Sequence, residues 1–193
     1  MIKRVKTIPK LIFEIRPSKV LVGEVSVFAV RNLKKGMVIS HVDSPEEVIW
    51  LHQHDFKKLD PITRRKIKSF CIIDEAGEYC VPADLNNMGT SWYFNHSCSA
   101  NVTYDSKGSF VAARNIKKDE ELFLDYGRMF TDPKFKLKCA CGSNDCRHMI
   151  TGRDWLNPEF RKNNLESMWP EMRKRPIKPG TRKKRLVKKS KIR

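Results

Sequence analysis

The chain lacks a long hydrophobic run, which excludes a helical membrane protein. No apolar stretch approaches the roughly 18 to 20 residues that a spanning helix needs. Pro9 and Lys10 interrupt the basic N-terminus before a signal-peptide core forms, and Glu14 is atypical of a mitochondrial presequence. We therefore expect an intracellular protein without membrane contact. Its six cysteines are expected to be reduced, and to serve metal binding or packing.

Acidic residues are missing from the C-terminal end. Residues 173–193 contain twelve Lys or Arg, so they carry +12 of the formal net charge of +17. The apolar periodicity stops after Trp169-Pro170, which predicts a disordered basic tail over 173–193. Such a tail can bind nucleic acid through phosphate contacts, but it lacks interleaved aromatic residues for base stacking. Its cluster at 182–185 equally fits a nuclear import signal or a solvated arm.

Short β-prone segments dominate the remaining sequence. Turn residues divide 71–81 and 102–112 into predicted hairpins. The capping pattern at Ser44-Pro45 predicts a helix running to Leu59, and a basic helix is predicted over 62–70. Further short strands are predicted over 11–16, 20–30, 37–42 and 121–126. Without βαβ alternation or internal repeats, this pattern predicts an α+β, mainly β domain.

A cysteine-rich segment predicts a metal site. Cys139, Cys141 and Cys146 lie within eight residues. Three thiolates this close repel one another unless a cation neutralises them, and soft sulfur ligands favour Zn²⁺. A structural site normally needs a fourth ligand, and His148 is the candidate within the segment itself. Cys71 is expected to pack, with no assigned role, against Cys80 across the first hairpin.

Three motifs in a fixed order carry a family resemblance. They are Asn95-His96-Ser97-Cys98-Ser99-Ala100-Asn101, then Glu121-Leu122-Phe123-Leu124-Asp125-Tyr126-Gly127, then Cys139-x-Cys141-x4-Cys146. Together they resemble the SET-domain protein lysine methyltransferases with a cysteine-rich post-SET segment. The resemblance covers roughly residues 20 to 155. It implies a SET-type fold of several small sheets with a threaded loop, followed by a zinc-bound post-SET segment.

The resemblance also implies roles for individual residues. Tyr126 matches the catalytic tyrosine, and Cys98 matches the fourth ligand of the structural zinc. Asn95 and His96 stand where the family contacts S-adenosylmethionine. The remaining expectations are that Ser26 and Val27 also bind this cofactor, and that Tyr93 and Leu124 line the substrate lysine channel. The neighbouring aromatic residues Trp92 and Phe94 fit either a channel wall or core packing.

Several positions depart from the family pattern. The family has a Gly-x-Gly turn beside the cofactor, but Glu24 and Ser26 occupy the glycine positions and Gly23 lies one residue away. Such side chains narrow a cofactor pocket. Leu124 stands where the family commonly has Phe or Tyr, two residues before the tyrosine. Without a hydroxyl, Leu124 cannot hold a water against the amine, which favours multiple methylation.

The leading interpretation is an S-adenosylmethionine-dependent protein-lysine N-methyltransferase that acts on histones or other basic, nucleic-acid-associated proteins. Nuclear or chromatin-associated localisation is favoured, with a cytoplasmic location as the alternative. Two other functions stay open: a catalytically weak SET-like binding module, and a zinc-stabilised nucleic-acid-binding protein that uses the tail at 173–193. The expected segments are a SET domain over 1–138, a post-SET zinc segment over 139–155, a C-terminal extension over 156–172 and the tail.

Overall fold

The computed structural model describes residues 10–41 and 48–176 of the chain. Short strands form four small sheets, and short helices connect or flank them. This architecture agrees with the predicted α+β, mainly β fold. The strands are β1 Phe13–Pro17, β2 Val25–Ala29, β3 Val38–Ser40, β4 Val48–Leu51, β5 Ile72–Ile73, β6 Tyr79–Pro82, β7 Asn95–His96, β8 Val102–Tyr104, β9 Phe110–Ala112, β10 Glu121–Leu124, β11 Lys136–Lys138 and β12 Met149–Thr151. The α-helices are α1 Gln53–Lys58, α2 Pro61–Phe70, α3 Pro158–Asn164 and α4 Pro170–Lys174.

The pairing within the sheets is mainly antiparallel. The four-stranded sheet has the order β1-β2-β10-β7, and two three-stranded sheets have the orders β3-β9-β8 and β4-β6-β5. Strands β11 and β12 form a separate pair. The exception to antiparallel pairing is β10 with β7, which run parallel. Parallel strands need a crossover connection. Here the β8–β9 hairpin lies in that connection, between the two strands that hold the predicted site.

Alternating side chains of β2 and β10 build the main core. Val27, Ala29, Leu122 and Leu124 face a common cluster with residues of the β8–β9 hairpin, and each of the four is at most 2% exposed. A second cluster lies between the α1–α2 pair and the sheet that contains β6. Because β2 and β10 belong to the core, the positions of the residues that flank them are tightly fixed.

The segment before α1 corrects one sequence-based prediction. A helix was expected up to Leu59, but Val48–Leu51 is a strand that pairs antiparallel with β6. Valine, isoleucine and tryptophan suit a pleated surface, and this tertiary pairing outweighs the helical spacing of apolar residues. The helix begins only after His52, which accepts a hydrogen bond from the backbone of His54. The predicted helix start at Ser44-Pro45 lies outside the described residues.

Most of the other local predictions agree with the structure. Asp60 caps α2 by accepting from the backbone N–H groups of Ile62 and Thr63. Both predicted hairpins are present, as β5–β6 and β8–β9. The long predicted strand over 20–30 is reduced to β2, because residues 18–24 form a turn in which Gly23 has φ +85°. Among the described residues, none of the helices has the length and apolar character that crossing a bilayer requires.

The C-terminal extension folds back on the domain. Trp155, Met168 and Met172 form a third buried cluster. Helix α4 reaches Lys174 and so extends into the predicted basic tail. Within this helix, the Arg173 guanidinium donates to backbone oxygens of three other residues, Met168, Tyr104 and Asp105. The rest of the predicted tail, after residue 176, lies outside the described residues.

Candidate active site

The parallel pairing of β7 with β10 joins two of the sequence motifs. Asn95 pairs with Phe123, and His96 pairs with Leu124. At the end of this pairing, the backbone N–H of Ser97 donates to the Leu124 oxygen over 2.9 Å. The chain can therefore present residues from both motifs on one side of the sheet, although about 28 residues separate them along the sequence.

His96 is held as a neutral ring. Its Nδ1 accepts a hydrogen bond from the Tyr126 backbone N–H over 3.1 Å. Burial lowers the pKa of His96 to about 4, against the opposing effect of Asp125. A neutral histidine that accepts at Nδ1 carries its proton on Nε2. That nitrogen lies 3.5 Å from the Cys98 sulfur, so His96 links the tyrosine backbone to a cysteine.

Tyr126 is fixed at both its backbone and its hydroxyl. The hydroxyl donates to the Phe94 backbone oxygen over 2.7 Å. Burial, assisted by the negative charge of Glu24, raises the pKa of Tyr126, so the phenol is neutral at physiological pH. The ring centroid lies 4.8 Å from that of Phe130 and 6.4 Å from that of Phe135. The tyrosine therefore presents its hydroxyl oxygen at the edge of an aromatic wall, which consists of the rings of Phe130 and Phe135.

Phe130 and Phe135 were not predicted from the sequence. Their rings stack with centroids 4.3 Å apart. The available signal was the spacing of aromatic residues after the tyrosine, at four and nine positions. The expected wall residues behave differently: Phe94 is buried in the main core, and Trp92 packs against the second cluster.

The two expected channel residues lie in different environments. Tyr93 is half-buried, and its ring meets the Phe70 ring edge-on at 5.3 Å. The Lys66 ammonium lies 5.8 Å from the Tyr93 ring centroid. Leu124 is 2% exposed and belongs to the main core. The structure thus leaves Tyr93 partly accessible, whereas Leu124 is buried in the main core.

The expected cofactor residues lie around the start of β2. The Asn95 side-chain amide donates to the Val25 backbone oxygen over 2.9 Å, which ties β7 to β2. Val27 is fully buried in the main core. Ser26 is also fully buried, and its hydroxyl has no hydrogen-bond partner among the described residues. Buried hydroxyls normally have a partner, so the unpaired Ser26 oxygen fits a site where a polar ligand binds.

Four cysteines converge beside this site. The Sγ atoms of Cys98, Cys139, Cys141 and Cys146 all lie within 4.8 Å of one another. Those of Cys98 and Cys139 are 3.9 Å apart, close to the roughly 3.8 Å that tetrahedral Zn–S bonds of about 2.3 Å imply. The set contains the fourth ligand that the family resemblance implied, and it does not include His148.

Each of the four sulfurs has a hydrogen-bond donor or a hydroxyl partner nearby. The backbone N–H of Arg147 donates to Cys98, that of Cys141 donates to Cys139, and that of His148 donates to Cys146. The Ser143 hydroxyl lies 3.2 Å from the Cys141 sulfur. Donors directed at sulfur stabilise the thiolate form that a metal requires. The donor set and its surroundings therefore fit a structural Zn²⁺ site.

A buried carboxylate lies between the cysteines and the tyrosine. The Asp125 side chain is 1% exposed and is paired with the guanidinium groups of Arg128 and Arg147. It also accepts from the Gly127 backbone N–H over 3.0 Å, which caps the 3₁₀ turn Tyr126–Arg128. A Cβ at Gly127 would lie 3.0 Å from an Asp154 carboxylate oxygen, so the turn packs closely against the C-terminal extension.

The chain is similar in sequence to known proteins. The family model described as the SET domain matches residues 24–127, which is more than half of the chain. Human histone-lysine N-methyltransferase 2D is 36% identical over 87 residues, covering 42% of this chain and 1% of that protein. Drosophila melanogaster histone-lysine N-methyltransferase trr is 29% identical over 139 residues, covering 68% of this chain and 5% of that protein.

The structure of a candidate histone methyltransferase from Plasmodium falciparum is similar over 62% of this chain and 96% of that chain, with a TM-score of 0.40 and 19% identity. The chain spans only a small part of the length of the two relatives.

Proposed function

The chain belongs to the SET-domain family, and on this premise we propose that it is an S-adenosylmethionine-dependent protein-lysine N-methyltransferase. The observation that carries the proposal is the arrangement of Tyr126. Its hydroxyl lies against the Phe94 backbone oxygen at the edge of an aromatic wall, and its backbone is bonded to the neutral His96.

The chemical problem is to present a neutral lysine amine. A free lysine has a pKa of about 10.4, so only about one amine in 10³ is uncharged at pH 7, a deficit of roughly 4 to 5 kcal/mol. Phe130 and Phe135 beside Tyr126 form a water-poor surface, which disfavours the ammonium form. The Tyr126 hydroxyl, held in one position by Phe94, orients the amine for in-line attack. Alignment of this kind supplies much of the rate.

S-adenosylmethionine, when bound, supplies the electrophilic methyl group. On the chain's side, Asn95 and the buried hydroxyl of Ser26 are the polar groups that would hold it. His96 keeps its ring fixed between Tyr126 and Cys98, and it would contribute to the same pocket through its position. The Val27 side chain is buried in the main core, so Val27 would support the pocket by packing and would not contact the cofactor with that side chain.

Zn²⁺ bound by Cys98, Cys139, Cys141 and Cys146 is proposed as structural. The metal would neutralise four thiolates and fix the cysteine segment against the loop after β7. No step of methyl transfer requires it.

The proposed substrate is a lysine in a histone or in another basic chromatin protein. The support is that two relatives are histone-lysine methyltransferases by name. A nuclear or chromatin-associated location follows from that substrate class, and the tail after residue 176 is proposed to deliver the protein to nucleic-acid-bound targets. Leu124, which carries no hydroxyl, favours more than one methyl group per lysine.

The test is cofactor binding followed by methyl transfer. Purified zinc-containing protein is titrated with S-adenosylmethionine by calorimetry, and then incubated with labelled cofactor and core histones. We expect micromolar binding and labelled histone. Tyr126→Phe should retain binding, whereas kcat should fall by roughly 10² or more because the amine is no longer oriented. Absence of binding up to millimolar cofactor would instead support a SET-like binding module.

A further inference from the structure

Asp125 connects the turn that carries Tyr126 to the cysteine segment. The Arg147 Nη1 atom donates to Asp125 Oδ2 over 3.1 Å, and Nη2 makes a second, shorter hydrogen bond to Oδ1. The pair is therefore bidentate, with a fixed orientation of both planes. Asp125 in turn accepts from the Gly127 backbone and so caps the turn that begins at Tyr126.

Arg147 belongs to the cysteine segment through its own backbone. It directly follows Cys146, and its N–H donates to the Cys98 sulfur over 3.3 Å. The same residue thus contacts the four-cysteine cluster with its backbone and Asp125 with its side chain. Its guanidinium also lies 4.6 Å from the Phe160 ring centroid, which limits the positions that the side chain can adopt.

The second arginine at Asp125 cannot perform this role. Arg128 lies in the same 3₁₀ turn as Tyr126, so it moves together with the tyrosine. Arg147 lies on a separate segment, so its contact with Asp125 ties the turn to the cysteine segment, in addition to the link that His96 makes between the Tyr126 backbone and Cys98. Asp125 directly precedes Tyr126 and caps the turn, so a displacement of Asp125 would move the turn that carries the tyrosine.

We propose that Arg147 is a positioning residue that couples the four-cysteine cluster to Tyr126. The metal-bound cluster holds the backbone of Arg147, the guanidinium holds Asp125, and Asp125 holds the turn that starts at the tyrosine. This inference rests on the proposed function for its effect on turnover. The positional coupling itself can be measured without catalysis.

The activity arm of the test uses zinc-loaded Arg147→Gln and Arg147→Lys, with Arg153→Gln as a control at an exposed arginine of the same region. Arg147→Gln should retain metal and bind cofactor within about threefold, whereas kcat should fall by roughly 10² because small misplacements are costly. Arg147→Lys should recover part of kcat, because lysine supplies a single charged contact. Arg153→Gln should match the wild type.

A second readout does not depend on turnover. The protein is labelled with 3-fluorotyrosine, and Tyr126→Phe identifies the resonance of Tyr126 among the four tyrosines. Arg147→Gln should shift or broaden that resonance and leave Tyr79, which packs in the second cluster, unchanged. Chelation of the metal from the wild type should shift the Tyr126 resonance similarly, and chelation from Arg147→Gln should add little.

Three results would overturn the coupling. An unmoved Tyr126 resonance in both Arg147 variants would show that the tyrosine is positioned without Arg147. Loss of metal in both variants in proportion to kcat would reduce the residue to a support of the cluster. Unchanged kcat with metal retained would exclude the role in turnover. If instead the wild type fails to bind S-adenosylmethionine, the proposed function fails, and the fluorine measurement still decides the coupling.

Discussion

Two regions beside Tyr126 differ in whether their carboxylate is buried and paired or exposed and unpaired. On one side, the carboxylate of Asp125 is buried and satisfied by two arginines, close to four converging cysteines. On the other side, Glu24 is exposed, and its carboxylate has no hydrogen bond or ion pair to a described residue. A satisfied buried charge fixes structure, whereas an unpaired charge near a pocket is available to a ligand. The first region is therefore expected to determine stability and geometry, and the second to determine ligand affinity.

The largest effect is expected from Cys98→Ser. A hydroxyl is a poor substitute for a thiolate ligand, so the protein should lose its metal. The free energy of unfolding should fall by more than about 4 kcal/mol, because metal binding is coupled to folding of the C-terminal segment. Metal analysis and thermal unfolding measure both quantities. Cys80→Ser, outside the cluster, is the control for metal content. Full metal content in Cys98→Ser would indicate another fourth ligand, with His148 as the first candidate.

A smaller effect, on affinity alone, is expected from Glu24→Gln. The cofactor carries a positive sulfonium, and the negative charge of Glu24 already acts on the Tyr126 hydroxyl. Removing that charge should weaken S-adenosylmethionine binding by roughly three- to tenfold. Calorimetry with S-adenosylhomocysteine, which lacks the sulfonium, separates charge from shape.

Comparing the two ligands shows which property of the cofactor Glu24 recognises. Equal weakening for both would mean that Glu24 recognises another part of the cofactor, and tighter binding of both would mean that Glu24 only obstructs the pocket. Glu159→Gln, at an exposed glutamate in α3, should change neither affinity.

The smallest effect should come from shortening the C-terminus. Deletion of 177–193 should change the melting temperature by no more than about 1 °C, and should reduce any salt-dependent nucleic-acid binding. Deletion of 173–193 also removes the three carbonyl contacts of Arg173, and should lower the melting temperature by roughly 5 °C. Differential scanning fluorimetry distinguishes the two variants. Equal melting temperatures would show that α4 contributes no stability beyond residue 172.

Sequence patterns predicted those parts of the molecule that depend on local chemistry. Turn residues between short β-prone runs predicted both hairpins, and the basic helix predicted over 62–70 matches α2, which begins one residue earlier at Pro61. Val48–Leu51 was predicted incorrectly, because its strand state depends on pairing with β6, about 30 residues away. Local spacing contains no information about such a partner.

The candidate site was predicted from the sequence only in part, for the same reason. The family motifs placed Cys98 with three distant cysteines, and the structure brings these four together. The Asp125–Arg147 pair was not predicted, since no spacing rule relates a carboxylate in one motif to an arginine that follows another. Phe130 was missed for a similar reason, because its contact with Tyr126 depends on the path of the chain after β10.

The parallel pairing of β7 with β10 also constrains the order in which the protein can fold. Strand β7 cannot pair until β10 has been synthesised. Cys98 likewise cannot join the metal cluster until a cysteine 41 positions later is present. Contacts of such high sequence separation form late and slow the folding of small domains. During synthesis, a nascent chain whose Cys146 has not yet emerged from the ribosome can complete its hairpins but not its metal cluster. Such a chain presents unpaired strand edges, so a shortage of zinc is expected to act first on newly made protein, through aggregation or chaperone binding, rather than on protein already folded.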